Sequence, residues 1–117
     1  MQKSLKILFF HNTLPEYRIG WFRNLAQNAD VQFVFTNEQL NKKEYGFTIE
    51  YEKIKDLKCK FLLDGKQGIK DLKQIMGDSI QYDFVELPPI DSLREVIYSA
   101  YIVYVCKKKN IKKGKAI

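Results

Sequence analysis

The chain has 117 residues, of which 45% are hydrophobic and 29% are charged, proportions typical of a single globular domain. A chain of this length can bury one core without metal or disulfide crosslinks, which excludes a disordered tail, a collagen-like fibre and a cysteine-stapled mini-protein. The net charge of +6 arises at the C-terminal end: residues 107–117 contain six lysines and no acid, whereas residues 1–106 hold 14 basic and 14 acidic residues. A neutral domain with a basic tail disfavours nucleic-acid binding, which normally uses basic residues spread over one surface.

The first third of the chain predicts a strand, a helix and a second strand. Residues 5–10 are apolar on both faces, as in a central parallel strand. Pro15 can begin a helix, and residues 16–28 have helical periodicity. The predicted buried stripe of this helix consists of Tyr17, Trp21 and Leu25, widened by Phe22 and Ala26. Residues 31–35 are β-branched and aromatic and predict the second strand.

The rest of the chain predicts three further strands and two helices. A long polar connection at residues 37–51 is followed by a strand within residues 54–63 and a helix at residues 67–76. A fourth strand is expected at residues 82–87, where two prolines stop it. Ser92 and Glu95 have the spacing of a capping box, in which each side chain bonds a free backbone N–H at the start of a helix. The last helix then runs to the lysines, and residues 114–117 predict a fifth strand.

This order of elements predicts the α/β class, with a Rossmann-like, doubly wound and mostly parallel sheet of four to five strands and helices on both faces. Ligands of such sheets bind at the carboxyl ends of the strands, near the point where the strand order reverses. The expected ligand-binding segments are therefore the loops at residues 11–14, 37–46, 64–68 and 86–91.

His11 is the only histidine and directly follows the first strand. It is either a hydrogen-bonded structural residue or a ligand contact. Arg18 lies in the first turn of the predicted helix, where peptide dipoles disfavour a cation. It is therefore either an ion-pair partner of a nearby acid or a binder of an anionic ligand. Glu86 ends the fourth strand, where a carboxyl group can act as an acid or base.

The motifs of several common enzyme classes are absent from the sequence. The first loop contains no glycine, and neither the G-x-G-x-x-G nor the phosphate-loop pattern occurs. The chain is therefore not expected to be an NAD-binding domain or a P-loop enzyme, and no cofactor is expected in it. Cys59 and Cys106 have no metal-ligand or disulfide spacing, so they are predicted to be reduced core thiols of a cytosolic protein without a metal.

The last predicted helix is apolar almost all round at residues 96–106, which is too short to span a bilayer. Core burial is one interpretation. The other is an interfacial helix with tyrosines at head-group level and lysines attracted to an anionic membrane surface. The candidate membrane contacts are Tyr98, Tyr101, Lys107, Lys108 and Lys109.

Three segments resemble the start of GT-B glycosyltransferases of the large family four. They are ILFF at residues 7–10, LPEYR at residues 14–18 and WFRNLA at residues 21–26. Members of this family often open with a strand, a P-x-Y-R or P-Y-R element and an F-x-x-L-A helix. The later features agree in order, namely the long connection, Tyr82-Asp83 before the fourth strand, and a helix leading toward residues 115–117.

The resemblance implies that residues 1–117 form the acceptor-binding N-terminal half of a two-domain sugar transferase. A C-terminal half would bind the nucleotide-sugar donor, and transfer would be to a polysaccharide or lipid-linked acceptor in bacterial polysaccharide biosynthesis. The chain would work in the cytoplasm, peripheral to the inner face of the membrane. It lacks the paired glycines that many members carry in the first loop. It also ends before the donor half, so a truncated domain that is inactive in isolation is expected.

The acceptor-binding residues implied by the resemblance are His11, Asn12, Arg18, Lys42 and Tyr45. The first two would line the cleft floor, the two cations would meet anionic groups of the acceptor or its carrier, and Tyr45 would stack on a sugar. The residues expected to line the same cleft are Thr13, Asn37 and Glu86. No catalytic residue is assigned.

Two alternatives need no sugar chemistry. A flavodoxin-like or response-regulator-like module would act by binding partners. Response regulators need an acidic pair after the first strand, where this chain has His11 and Asn12. They also need an aspartate after the third strand, where Asp64 is present. An adaptor recruited to membranes by its basic tail is the other alternative.

Overall fold

The computed structural model describes residues 5–11, 18–36, 56–62, 65–78, 81–90 and 92–114. Within these ranges the chain forms five strands and three helices, which we number in chain order. They are β1 (Lys6–His11), α1 (Ile19–Asn28), β2 (Asp30–Phe35), β3 (Lys58–Phe61), α2 (Lys66–Gly77), β4 (Phe84–Glu86), α3 (Leu93–Lys109) and β5 (Lys112–Gly114).

The five described strands form one sheet in the order β3-β2-β1-β4-β5. Each pair of neighbours is parallel, which confirms the predicted Rossmann-like α/β fold. The chain starts at β1 in the centre, moves outward to β3, and returns to the other side of β1 with β4. Because parallel crossovers are right-handed, this reversal places α1 on one face of the sheet and the two later helices on the other.

The α1 face has an aromatic core. Phe9, Phe22, Phe33 and Phe35 are buried there, with ring centroids 5.2–5.8 Å apart for the pairs that Phe22 makes with the others. The predicted buried stripe is wrong in its centre, because Trp21 is 45% exposed. Phe22 instead points at β1 and β2. Trp21 lies one residue away and therefore about 100° around the helix, where its ring makes T-shaped contacts with the rings of Phe9 and Phe22.

The other face has a mainly aliphatic core between the sheet and the helices α2 and α3. Leu8 and Val34 from the sheet pack there with Leu72 and Met76 of α2 and Ile102 of α3. The two helices are also joined at their ends, because Lys109 Nζ donates hydrogen bonds to the carbonyl oxygens of Met76 (3.0 Å) and Gly77 (2.9 Å). A lysine there compensates carbonyls that α2 leaves without a helical partner.

Asn110 ends α3 in the left-handed conformation, with φ 59°. The N–H of Ile111 bonds to the carbonyl of Cys106 (2.8 Å) and that of Asn110 to the carbonyl of Lys107 (3.3 Å), the bond pattern of a Schellman motif. This turn brings the chain back to the sheet sooner than predicted. The fifth strand is therefore Lys112–Gly114, and the predicted residues 115–117 lie outside the described ranges.

Candidate functional site

The carboxyl ends of β1 and β4 lie side by side in the middle of the sheet. Phe9 of β1 is in register with Glu86, the last residue of β4, and His11 ends β1 two residues later. On its other side β1 pairs with β2, so the strand order reverses between β1 and β4. Parallel sheets of this kind bind ligands in the crevice at that reversal point.

His11 and Glu86 belong to the same face of the sheet. The His11 ring lies 5.9 Å from that of Phe22 and 6.3 Å from that of Phe9, measured between centroids, so it lies under α1 and is half-buried. Successive side chains of a strand point to opposite faces. Val85 packs toward α2 and α3, so Glu86 points to the α1 side, where it is buried. An imidazole and a carboxyl group thus end adjacent strands on one face.

A second polar group at this edge was not predicted from the sequence. Thr36, the residue after β2, is fully buried, and its Oγ1 donates a hydrogen bond to Oε1 of Glu95 at 3.1 Å. The backbone N–H of Thr36 also donates to the carbonyl oxygen of His11 at 2.8 Å. Thr36 therefore links the end of β1 to the first turn of α3.

Glu95 explains why the predicted capping box is correct in position and wrong in its bonds. Ser92 precedes the first residue of α3, as predicted, but its side chain makes no bond to a backbone N–H of the helix. The hydroxyl of Ser92 instead donates to Oε2 of Glu95. Because both Glu95 oxygens accept hydroxyl donors, the carboxyl group connects α3 to β2 and is fully buried. The spacing of Ser92 and Glu95 was the sequence signal for the first of these bonds, and no motif indicated the bond from Thr36.

Two arginines border the same region. Nε of Arg94 lies 3.8 Å from Oε1 of Glu95, and its side chain is 27% exposed. Arg18 immediately precedes α1, in helical backbone conformation and half-buried, and makes no capping bond with its side chain. These two arginines place positive charge near the carboxyl edge, and Arg94 was not predicted from the sequence.

Several predicted site residues lie outside the described ranges, so their role stays a prediction. They are Asn12, Thr13, Asn37, Lys42 and Tyr45.

The predicted membrane contacts are only partly at the surface. Tyr98 is 3% exposed and packs in the core with Ile102, so its prediction as a membrane contact is wrong. Three residues advance a helix by about 300°, so tyrosines at that spacing turn steadily from the core toward solvent: Tyr101 is half-buried and Tyr104 exposed. Lys107 and Lys108 are exposed, whereas Lys109 is half-buried and bonds the end of α2.

Within the part of the chain that the structure describes, no three His, Cys, Asp or Glu side chains are grouped closely enough to hold a metal ion. Nor does any helix of those ranges combine the length and apolar character that crossing a bilayer requires. No protein-family model matches the chain, and a search of curated proteins found no similar sequence.

Proposed function

We propose that this chain is the acceptor-side domain of a glycosyltransferase, and that its acceptor binds at the carboxyl edge of β1 and β4. The observation that carries the proposal is the placement of His11 and Glu86 on one face at the point where the strand order reverses. A second domain with the nucleotide-sugar site would complete the cleft and the reaction.

The side chains at this edge have the chemistry that a sugar acceptor requires. A carboxyl group accepts hydrogen bonds from sugar hydroxyls, and an imidazole can donate or accept one. Arg18 and Arg94 offer charged donors to a phosphate-linked carrier, and guanidinium groups bind phosphate through paired N–H donors. These groups would orient an acceptor. The proposal assigns no metal or cofactor to this domain, and the donor would bind mainly to the second domain.

The strand order supports this proposal over the flavodoxin-like or response-regulator-like alternative. In those folds the first strand lies between the second and third strands of the chain. Here β1 lies between β2 and β4, and β3 pairs only with β2 among the described strands. The order is that of a Rossmann-like half.

Acceptors that are carried on a lipid would be met at a membrane. We therefore include in the proposal a cytoplasmic location that is peripheral to the inner face of the membrane, as expected for polysaccharide biosynthesis.

Titration of the purified chain tests the proposal. The probes are a short-chain isoprenyl-diphosphate sugar as acceptor analogue, UDP-glucose as donor, and flavin mononucleotide, each followed by amide chemical shifts. We expect the acceptor analogue to bind and His11→Ala and Glu86→Gln to weaken it about tenfold, the loss of roughly one hydrogen bond to a charged group. Asp78→Asn is the matched control, because Asp78 is an exposed carboxyl group at the opposite edge.

Binding of UDP-glucose without the acceptor analogue, or tight binding of the flavin, would contradict the proposal. Unchanged acceptor binding in both edge variants, with folding verified by circular dichroism, would remove the site from the β1 and β4 edge.

A further inference from the structure

Helix α3 is apolar on two opposite sides. Its inner side packs in the core through Tyr98, Ile102 and Val105. Its outer side is also apolar, since Leu93 is 74% and Ile97 57% exposed. A helix that packs on a core through one side normally has a polar outer side. Contact with solvent alone therefore does not explain the apolar residues on the outer side of α3.

The exposed apolar residues form one line along the helix, which we call the outer stripe. Its members are Leu93, Val96, Ile97, Ala100 and Tyr104. Leu93, Ile97, Ala100 and Tyr104 recur at intervals of three or four residues, which places them on one side of the helix, and Val96 widens that side. Ile90, just before the helix, is exposed as well. Lys107 and Lys108 come one turn after Tyr104 and are also exposed, so the stripe ends in two positive charges.

The outer side of α3 has no negative charge to balance these lysines. The one acidic residue of α3 is Glu95, which is fully buried and accepts the hydroxyl of Thr36. Lys112 of β5, close in the chain to the end of α3, is exposed too. The surface is therefore apolar along its length and cationic at one end.

We propose that the outer stripe and Lys107 and Lys108 bind an anionic lipid bilayer, with α3 lying parallel to the membrane surface. Apolar side chains would enter the boundary between head groups and acyl chains, and the lysines would meet lipid phosphates. Tyr104 lies between the two parts, and its ring with a polar tip suits head-group depth. This inference rests on the proposed function for its peripheral location, but its observations concern α3 alone.

Charge favours a membrane over a second copy of the chain as the occupant. If two outer stripes paired in parallel, the lysines of one copy would lie beside those of the other. If they paired antiparallel, the lysines would face the first turn of α3, which presents Leu93 and Arg94. Neither arrangement opposes the lysines with an acid of α3, whereas anionic lipid supplies negative charge along the whole surface.

Vesicle co-sedimentation of the full chain tests the proposal. The vesicles are phosphatidylcholine alone and equal parts of phosphatidylcholine and phosphatidylglycerol. We expect binding to the anionic vesicles that weakens as salt is raised, because exposed charges are screened. Lys107→Gln with Lys108→Gln, and separately Ile97→Ser, should each weaken it about tenfold or more. All three residues are exposed, so these variants should keep the fold.

Lys70→Gln with Lys73→Gln is the matched control, since both are exposed lysines of α2. If the control and the α3 double variant lose vesicle binding equally, the binding depends only on the net charge of the chain, and the proposal is overturned. A dimer seen by sedimentation velocity that Ile97→Ser dissociates, without vesicle binding, would assign the stripe to self-association. The vesicle assay contains no sugar, so its result is independent of the acceptor titration. Vesicle binding can fail while acceptor binding is observed, and acceptor binding can fail while vesicle binding is observed.

Discussion

The amino ends of the strands form one edge of the sheet and their carboxyl ends form the other. Polar side chains are held differently at these two edges. At the amino edge, charged groups pair in solvent: Lys58 Nζ lies 2.7 Å from Oδ1 of Asp30, and Arg23 holds Asp56 through two bonds of 2.7 and 3.0 Å. At the carboxyl edge, Thr36, Glu86 and Glu95 are buried. Carboxyl groups are thus largely hydrated at one edge and removed from water at the other.

This difference decides how much each group contributes. An exposed ion pair contributes little, because water solvates the separated charges almost as well. A buried carboxyl group is costly unless it is hydrogen-bonded, so its donors matter more. The carboxyl edge is therefore where the fold depends on individual polar side chains, and it is also the edge of the candidate site. Four predictions test this comparison.

The largest effect is expected from Glu95→Ala. The change leaves the buried hydroxyl of Thr36 without its acceptor and opens space beneath α3, so the free energy of unfolding should fall by about 2–4 kcal/mol. Urea denaturation followed by circular dichroism measures it. The control is Asp30→Ala, which removes a carboxyl group from the exposed pair with Lys58 and should cost less than about 1 kcal/mol. Equal losses would refute the contrast between the edges.

The reactivity of the Cys59 thiol tests how well β3, between the two edges, is shielded from solvent. Burial raises the pKa of this thiol from 9.0 to about 11. The thiolate is the reactive form of cysteine. At pH 8, the fraction of Cys59 present as thiolate in the native protein should be about 100-fold lower than that of a thiol with the unshifted pKa. Iodoacetamide labelling with mass spectrometry, native against urea-unfolded, reads this out. Similar rates in the two states would show that Cys59 is open to solvent.

A smaller effect is expected from Thr36→Val, which keeps the shape of the side chain and removes its hydroxyl donor. The loss should be about 1–2 kcal/mol. Combining this change with Glu95→Ala should cost less than the sum of the two, because both remove the same hydrogen bond. Additive losses in urea denaturation would mean that the hydrogen bond between Thr36 and Glu95 contributes nothing.

The smallest effect is expected at the amino edge from Asp56→Asn. The hydrogen bonds from Arg23 lower the pKa of Asp56 below its ordinary value of 3.8, so the pair adds stability above the ordinary pKa and loses it as pH falls through the lowered one. The wild type should therefore melt at a slightly higher temperature than the variant at pH 7, and the difference should vanish in acid. A difference that persists in acid would show that the variant loses stability for a steric rather than an electrostatic reason.

Local patterns predicted the elements of this fold well. The helix expected at residues 67–76 is Lys66–Gly77, and the last helix begins directly after Ser92 as expected. Helical periodicity and start signals depend on neighbours a few residues apart, and these are present in the sequence itself. The order of strands and helices also led to the parallel sheet, because parallel neighbours need crossovers.

The candidate site was predicted only in part. The rule for parallel sheets placed His11 and Glu86 at one edge, and the register has them there. The hydrogen bond between Thr36 and Glu95 joins residues 59 positions apart, and neither residue belongs to a motif that indicates such a contact. Arg94 was missed for the same reason.

The sequence alone determined the kind of sheet, the approximate bounds of α2, and the concentration of positive charge after α3, because each depends on composition or on short-range spacing. Only the tertiary structure decided which side of a helix is buried. Phe22 rather than Trp21 faces the sheet, and Tyr98 is in the core while Tyr104 is in solvent. Both sides of these helices are apolar in the sequence, so the choice depends on where distant strands lie. The final arrangement of buried polar groups depends on the same long-range packing.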